Sequence, residues 1–261
     1  MTLLSWYITY PRVQCAVCSV CRKRGVTAIL LEPLQGERGI IPGTKEFFAT
    51  ARHLCDDCWE LLMIYEVKAG MGRSGVLWGH ENLGVEPGVF TSAKALGGGM
   101  PIGALLARRE AANVLVPGTY ASRYGGNTLA CVTGLAVAQN LSDHDVLENV
   151  KERGAQLSAG LGKLAEKYLT ILAETRGRGL LKDIIIHDDA VVTAGQLVGD
   201  VMAEGLLLVA AGPSVVKKSP PLIVSEEEIN QALDFFKSLQ SVCYKTAISY
   251  TNGGIESDIY L

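Results

Sequence analysis

Residues 90–107, FTSAKALGGGMPIGALLA, set one lysine, Lys94, in a run otherwise made of apolar, glycine and small hydroxyl residues. A lysine enclosed by apolar neighbours loses solvation of its ammonium form, so its pKa falls and the free amine can attack a carbonyl carbon. Schiff-base chemistry follows from such a group. The alternative is a lysine whose stem lies on apolar surface while its head reaches water. Five cysteines form a second constellation, Cys15, Cys18, Cys21, Cys55 and Cys58. Two CxxC pairs could hold zinc in a tetrahedron, but the 36 residues between Cys18 and Cys55 exceed the roughly 15–20 of a compact zinc ribbon, which favours reduced, unligated thiols. His53, His80, His144 and His187 are dispersed with no ligand spacing and read as surface or helix-face side chains.

Elements must position these groups. Val26–Leu31 is a β-branched and apolar run closed by Glu32-Pro33, a buried strand that ends in a loop. TKEFFATARHLCDDCWE then carries apolar residues at 47, 48, 51, 54 and 55, one face of a helix, and LLMIYEV at 61–67 reads as a second buried strand. Strand, helix and strand within some 40 residues form a parallel βαβ unit, so the class is α/β. The glycine-crowded stretch after residue 70 reads as functional loops, and helical patterns follow at NTLACVTGLAVAQNL and LENVKERGAQLSAGLGKLAEKY. Cys131, in the first of these, reads as a small core residue. Apolar runs at 183–186 and 206–210, a helical run at 193–204 and a helix opened by the Ser225/Glu228 capping box make a second lobe. The tail from about 241 has no period and reads as poorly ordered.

With 48% hydrophobic residues and a net charge of −3, the chain has the material for a core and no excess of positive charge for a phosphate backbone, so nucleic acid is not an expected partner. No apolar stretch approaches the ~20 residues of a membrane span. Residues 1–31 lack Asp and Glu but hold Arg12, Arg22, Lys23 and Arg24. The expected location is the cytoplasm, with an organelle stroma or matrix as the alternative.

The stretch YEVKAGMGRSGVLWGHENLGVEPGVFTSAKALGGGMPIGALLA resembles the active-site segment of class III, pyridoxal-phosphate-dependent aminotransferases, most of all the acetylornithine type. LLEPLQGERGIIPGTKEFFATARHLCDD, YASRYGGNTLAC, TRGRGLL and AGPSVVKKSPPLIVSEEEI agree, in the family's order, over roughly residues 26–239. The resemblance implies the fold type I of pyridoxal-phosphate-dependent transferases. Residues 26–147 would be part of the cofactor-binding large domain, with a mainly parallel sheet, and 148–240 the smaller α/β domain. Residues 1–25 are unmatched and 241–261 a tail. It implies pyridoxal 5'-phosphate as cofactor, and amino-group transfer from N-acetylornithine to 2-oxoglutarate in arginine biosynthesis, with ornithine or 4-aminobutyrate as alternative donors. Lys94 would form the cofactor Schiff base and shuttle the substrate proton. The partner would be a second copy or a homologous subunit, and a non-catalytic remnant bound to such a subunit is the reading from another class.

Several positions depart from the family pattern. Asp-Glu-Val-Gln at the cofactor is here Tyr65-Glu66-Val67-Lys68, so a phenol stands where a carboxylate would pair with the pyridine nitrogen. Losing one partner of a buried ion pair costs about 3–5 kcal/mol, which on the barrier is about two to four orders of magnitude in rate. Lys68 replaces the glutamine at the phenolic oxygen. The Ser-Thr pair that meets substrate and cofactor phosphate across the subunit boundary is Ser122-Arg123. The carboxylate-clamping arginine is Lys217, which lacks the bidentate fork. Residues 1–25 do not resemble the family's phosphate-cradling Gly-Ser/Thr loop or its ring-stacking aromatic, so the chain is expected to be N-terminally truncated relative to the family. Glu32 and Glu37 read as loop-shaping, and Arg73 as a brace for its loop.

Overall fold

A computed structural model of the chain describes residues 2–5, 26–37, 39–190 and 192–237. The expected zinc-type spacing at Cys15, Cys18 and Cys21 and the tail from 241 lie outside the described residues. The described residues fall into two compact units. One combines the chain up to Gly36 with Ile41–Lys151, and the other combines Glu37–Ile40 with the chain from Glu152 onward.

The first unit is built on a five-stranded sheet of β1 (Thr2–Ser5), β2 (Val26–Leu31), β3 (Leu61–Tyr65), β4 (Val89–Ser92) and β5 (Ala104–Ala107), adjacent in that order. β1 to β4 run parallel and β5 is antiparallel to β4. The β2–β3 crossover is α1 (Lys45–Asp57), whose Phe47 N–H donates to the Thr44 hydroxyl at 3.2 Å, an N-cap that starts the helix. Its buried face, Phe47, Phe48, Ala51 and Cys55, packs with Ile29 and Leu31 of β2 and Leu62 and Ile64 of β3. Phe48 is fully enclosed, which contributes about 2–3 kcal/mol. A later helix, α2 (Thr128–Asp143), is capped by Asn127, whose side chain accepts from Ala130 N–H at 3.0 Å. It packs on the turn Lys94–Gly97, where Gly134 lies against the Leu96 carbonyl.

The second unit takes over α3 (Val146–Lys167), which begins in the first. It then folds β6 (Leu172–Arg178) and β7 (Leu181–Ile186) as a hairpin. α4 (Ala194–Ala203) follows, then β8 (Val209–Ala210), β9 (Val215–Lys218) and α5 (Glu226–Lys237). The sheet is antiparallel in the order β8-β9-β7-β6. Thr193 and Gln196 form a capping box at α4, and Ser225 and Glu228 another at α5, with Ser225 N–H to Glu228 Oε2 at 2.8 Å and Glu228 N–H to Ser225 Oγ at 3.1 Å. Leu161, Leu172, Ile184, Val216 and Phe236 are among its buried core residues. At Gly177, with φ +121°, a Cβ would overlap the Leu181 carbonyl of the hairpin partner, so glycine is required there.

Candidate active site

The carboxyl ends of parallel strands in an open α/β sheet are where ligands bind, and Tyr65–Lys68 and Lys94 leave two such neighbouring ends. β3 and β4 pair with Tyr65 opposite Thr91, and Glu66 N–H continues the ladder to the Thr91 carbonyl at 2.9 Å. Tyr65-Glu66-Val67-Lys68 therefore leaves β3 beside the segment Ser92-Ala93-Lys94 that leaves β4. Lys94 opens a 3₁₀ turn with φ +47°, a left-handed backbone that a non-glycine residue rarely adopts and that costs of order 1–3 kcal/mol. Strain of this kind is retained where surrounding structure fixes it, and α2 packed on the turn supplies that constraint.

The structure differs from the expectation of an apolar shelter: Lys94 is exposed. Its turn is flanked by the exposed Gly98 and Gly99, which contribute no side chain to cover it. Two hydroxyls at the same strand end, Thr91 Oγ1 and Ser92 Oγ, are buried and have no hydrogen-bond partner among the described residues. Thr91 and Ser92 are successive residues of β4, so their side chains are turned to opposite faces of the sheet.

Glu66, expected from the resemblance among the cofactor contacts, ties its own loop to the strand end. It is 1% exposed, and its carboxylate accepts from Gly79 N–H at 2.9 Å, His80 N–H at 2.8 Å and His80 Nδ1 at 2.8 Å. Both oxygens are thus turned to protein donors, and the 67–80 loop is tied back onto the strand end. Gly79 must lack a side chain here, since a Cβ would come within 2.8 Å of Ala69 and 3.1 Å of the Glu66 carboxylate. His80, read from sequence as a surface histidine, is buried and stacked near Phe90 at 5.3 Å. Nothing in the spacing marked this pair, because 14 residues of loop separate its members.

Tyr65, Val67 and Lys68 are half-buried around the strand end, and the Lys68 stem lies against Gly36. Arg73 is half-buried as well, and burial lowers its pKa from the ordinary value. Ser122 and Arg123 lie in an exposed stretch, where the Ser122 hydroxyl accepts from Gly125 N–H at 2.8 Å and closes its own turn. Lys217 belongs to the second unit, on β9, and its Nζ donates to the Glu37 carbonyl at 2.8 Å. Cys55 is buried under α1, its thiol pushed up to about 12 by that burial, whereas Cys58 is exposed. Cys131, expected in the core, is exposed, because α2 carries apolar residues on both faces and turns Ala130, Gly134 and Leu141 inward instead.

A parallel α/β unit presenting a lysine at a strand end, with a following antiparallel α/β unit, is the architecture of the fold type I pyridoxal-phosphate transferases. Comparison with known proteins supports this reading. The model of the family Aminotransferase class-III matches residues 15–239. Acetylornithine aminotransferase of Nostoc sp. is 52% identical over 218 residues, 83% of this chain and 51% of that protein. The crystal structure of acetylornithine aminotransferase from Elizabethkingia anophelis superposes with a TM-score of 0.81 at 30% identity, covering 86% of this chain and 57% of that one. An ornithine aminotransferase from Toxoplasma gondii, described with partial occupancy of pyridoxal phosphate at its active site, gives 0.84 at 29% identity over 90% of this chain and 55% of its own. The chain belongs to the class-III aminotransferases, a pyridoxal-phosphate-dependent family. It spans about half the length of the curated relatives it matches.

The donor set fits one end of that cofactor and not the other. The exposed primary amine of Lys94 suits an aldehyde-bearing ligand. Tyr65 carries no carboxylate for a protonated ring nitrogen, and the Glu66 carboxylate at the same strand end is already committed to His80 and Gly79.

Proposed function

We propose that this chain carries the lysine-bearing part of an acetylornithine-type aminotransferase, moving an amino group from N-acetylornithine to 2-oxoglutarate with pyridoxal 5'-phosphate. Bound there, the cofactor would supply the carbonyl and the electron sink. The chain's own residues do the rest. Lys94 Nζ is the amine that meets the carbonyl and the base that carries the substrate proton. The Glu66–His80 pair holds the loop that follows the strand end. Tyr65, Val67, Lys68 and Arg123 are the further cofactor contacts, and Ser122 and Lys217 the substrate contacts. The observation that carries the reading is the meeting of Lys94 and Tyr65–Lys68 at adjacent parallel strand ends inside a stretch matched to the family.

The test is to add pyridoxal phosphate to the purified chain, reduce with borohydride and map the label. A label on the peptide containing Lys94, absent in Lys94→Ala, supports the proposal, and an unlabelled peptide refutes it. Glutamate formation from N-acetylornithine, ornithine or 4-aminobutyrate then ranks the donors. Tyr65→Asp should raise transfer by about two to four orders of magnitude if the ring-nitrogen anion is what is missing.

A second reading is favoured by the apolar surface of the first unit. Val114, Leu115, Val116, Tyr120, Tyr124, Leu129, Val132 and Leu135 are all exposed, and α2 is apolar on both faces, a pattern that belongs to a covered helix. We assign this surface to a second class-III subunit, either a copy of the chain or a longer homologue. With Tyr65 in place of the carboxylate, the chain then serves as a non-catalytic partner. Sedimentation of the chain alone and with an acetylornithine aminotransferase distinguishes self-association from pairing. We place the protein in the cytoplasm or an organelle stroma or matrix; no described helix is long and apolar enough to cross a membrane.

A further inference from the structure

The second unit buries an amine that the transfer reaction does not use. Lys218, the last residue of β9, is 5% exposed, and its Nζ has no hydrogen-bond partner among the described residues. Nζ lies over the face of Phe236, 4.3 Å from the ring centre. Successive side chains on a strand point to opposite sheet faces, and Asp183 stands opposite Lys217 in the register. Asp183 and Lys217 therefore share one face, where Asp183 accepts from Ile40 N–H and lies 3.5 Å from Arg176, and Lys218 is turned to the other. There it lines a pocket of about 330 Å³ whose walls include Leu206, Leu208, Val224, Ile229, Leu233 and Phe236. The other charged group at the pocket, Glu228, is exposed at its mouth, and its carboxylate is held by Ser225 N–H.

A lone ammonium without a partner in apolar surroundings is costly, and burial lowers the Lys218 pKa well below its ordinary value, against a smaller opposing pull from Asp183. The walls are mostly apolar, with Ser219 and Glu228 the other polar side chains that line the pocket. A carboxylate would supply both the missing acceptor and the missing charge. At about 30 Å³ for a water-sized group, the pocket has room for roughly eleven heavy atoms.

We propose that this pocket binds a small apolar carboxylic acid, its tail of roughly six to ten carbons against the leucine-rich walls and its carboxylate met by Lys218 Nζ, which is sealed behind the pocket wall in the structure and turns into the pocket on binding. The site is separate from the Lys94 strand end and stands whether or not Lys94 captures a carbonyl. Its test is calorimetric titration of the full chain with octanoate, with 1-octanol as the uncharged comparator. Octanoate binds below about 1 mM and at least about tenfold more tightly than octanol. In Lys218→Met, whose fold is checked by its thermal melt, octanoate loses that advantage while octanol still binds. No octanoate binding, equal affinity of acid and alcohol in the unaltered chain, or an undiminished octanoate preference in Lys218→Met each overturns the proposal.

Discussion

Replacing Glu66 tests whether the candidate site is held from below by one carboxylate. In Glu66→Gln the side-chain oxygen can keep the position of Oε1 and accept from His80 N–H and Nδ1, but the amide nitrogen then faces Gly79 N–H, donor against donor. One charge-assisted bond, worth about 1.5–3 kcal/mol, is lost, and a buried N–H is left without a partner; together the cost is about 2–4 kcal/mol. Glu66→Ala strands all three donors and costs about 3–5 kcal/mol or more, a large part of the 5–15 kcal/mol that holds a typical domain. Trp78 precedes the tied residues and packs against Phe90 at 4.8 Å, so in a background with Trp6→Phe and Trp59→Phe its fluorescence reports the loop during urea unfolding. Glu66→Gln should move the midpoint to lower urea with an unchanged slope and speed amide exchange at Gly79 and His80. His80→Ala should cost less, since two of the three bonds remain, and the double variant should be non-additive because the two residues share one hydrogen bond. A Glu66→Gln midpoint within about 0.5 kcal/mol of the original would show that the carboxylate does not hold this loop, and the account of how the strand end is framed would fall with it.

Lys218→Met should raise stability at neutral pH by about 1–3 kcal/mol, because it removes an unsatisfied buried donor. The lowered pKa of Lys218 means that the native state binds fewer protons than the unfolded chain between its folded value and the ordinary 10.5. Stability therefore rises with pH through that window, and urea midpoints across alkaline pH should lose this slope in the methionine variant. Gly177→Ala places a Cβ at φ +121° against the Leu181 carbonyl and should cost more than about 1 kcal/mol, read as a lowered melting temperature. Among the described cysteines, Cys58 and Cys131 should react with a thiol reagent in the native state, whereas Cys55, fully buried and pushed up to about 12, should react only on unfolding; peptide mapping separates them, and native labelling of Cys55 would contradict its burial under α1.

Sequence was most informative where structure is made locally. β2, α1 and the strand at 61–65 appear where periodicity puts them, because a helix face and a buried apolar run need no distant partner to be recognised. The capping box at Ser225 is local for the same reason. β4, β5 and β6 left little trace: the first two are four residues long and lie among glycines, and LAETRGR in β6 has mostly half-buried or exposed side chains with no clean alternation. Of the apolar run at 206–210 only Val209–Ala210 is strand, since a neighbour has to be present to complete a ladder. At the site, Lys94 stood out by residue type, yet its exposure did not, because apolar neighbours in sequence are not neighbours in space.

The same distinction explains why the buried amine is not the one that the sequence context marks. An apolar sequence context suggested shelter for Lys94, whereas the sheltered lysine is Lys218, which sits next to another lysine and is flanked by serine and proline. What determines burial there is register. β9 pairs with β7 so that Lys217 falls opposite Asp183 and Lys218 opposite Lys182, and the alternation of faces sends one amine to the Glu37 carbonyl and the other beneath α5. The two adjacent lysines thereby acquire opposite chemistry, one satisfied by a backbone acceptor and one lying over an aromatic face. A one-residue slip of β9 would exchange their roles, so the unpartnered charge is a property of the strand pairing and of no residue taken alone.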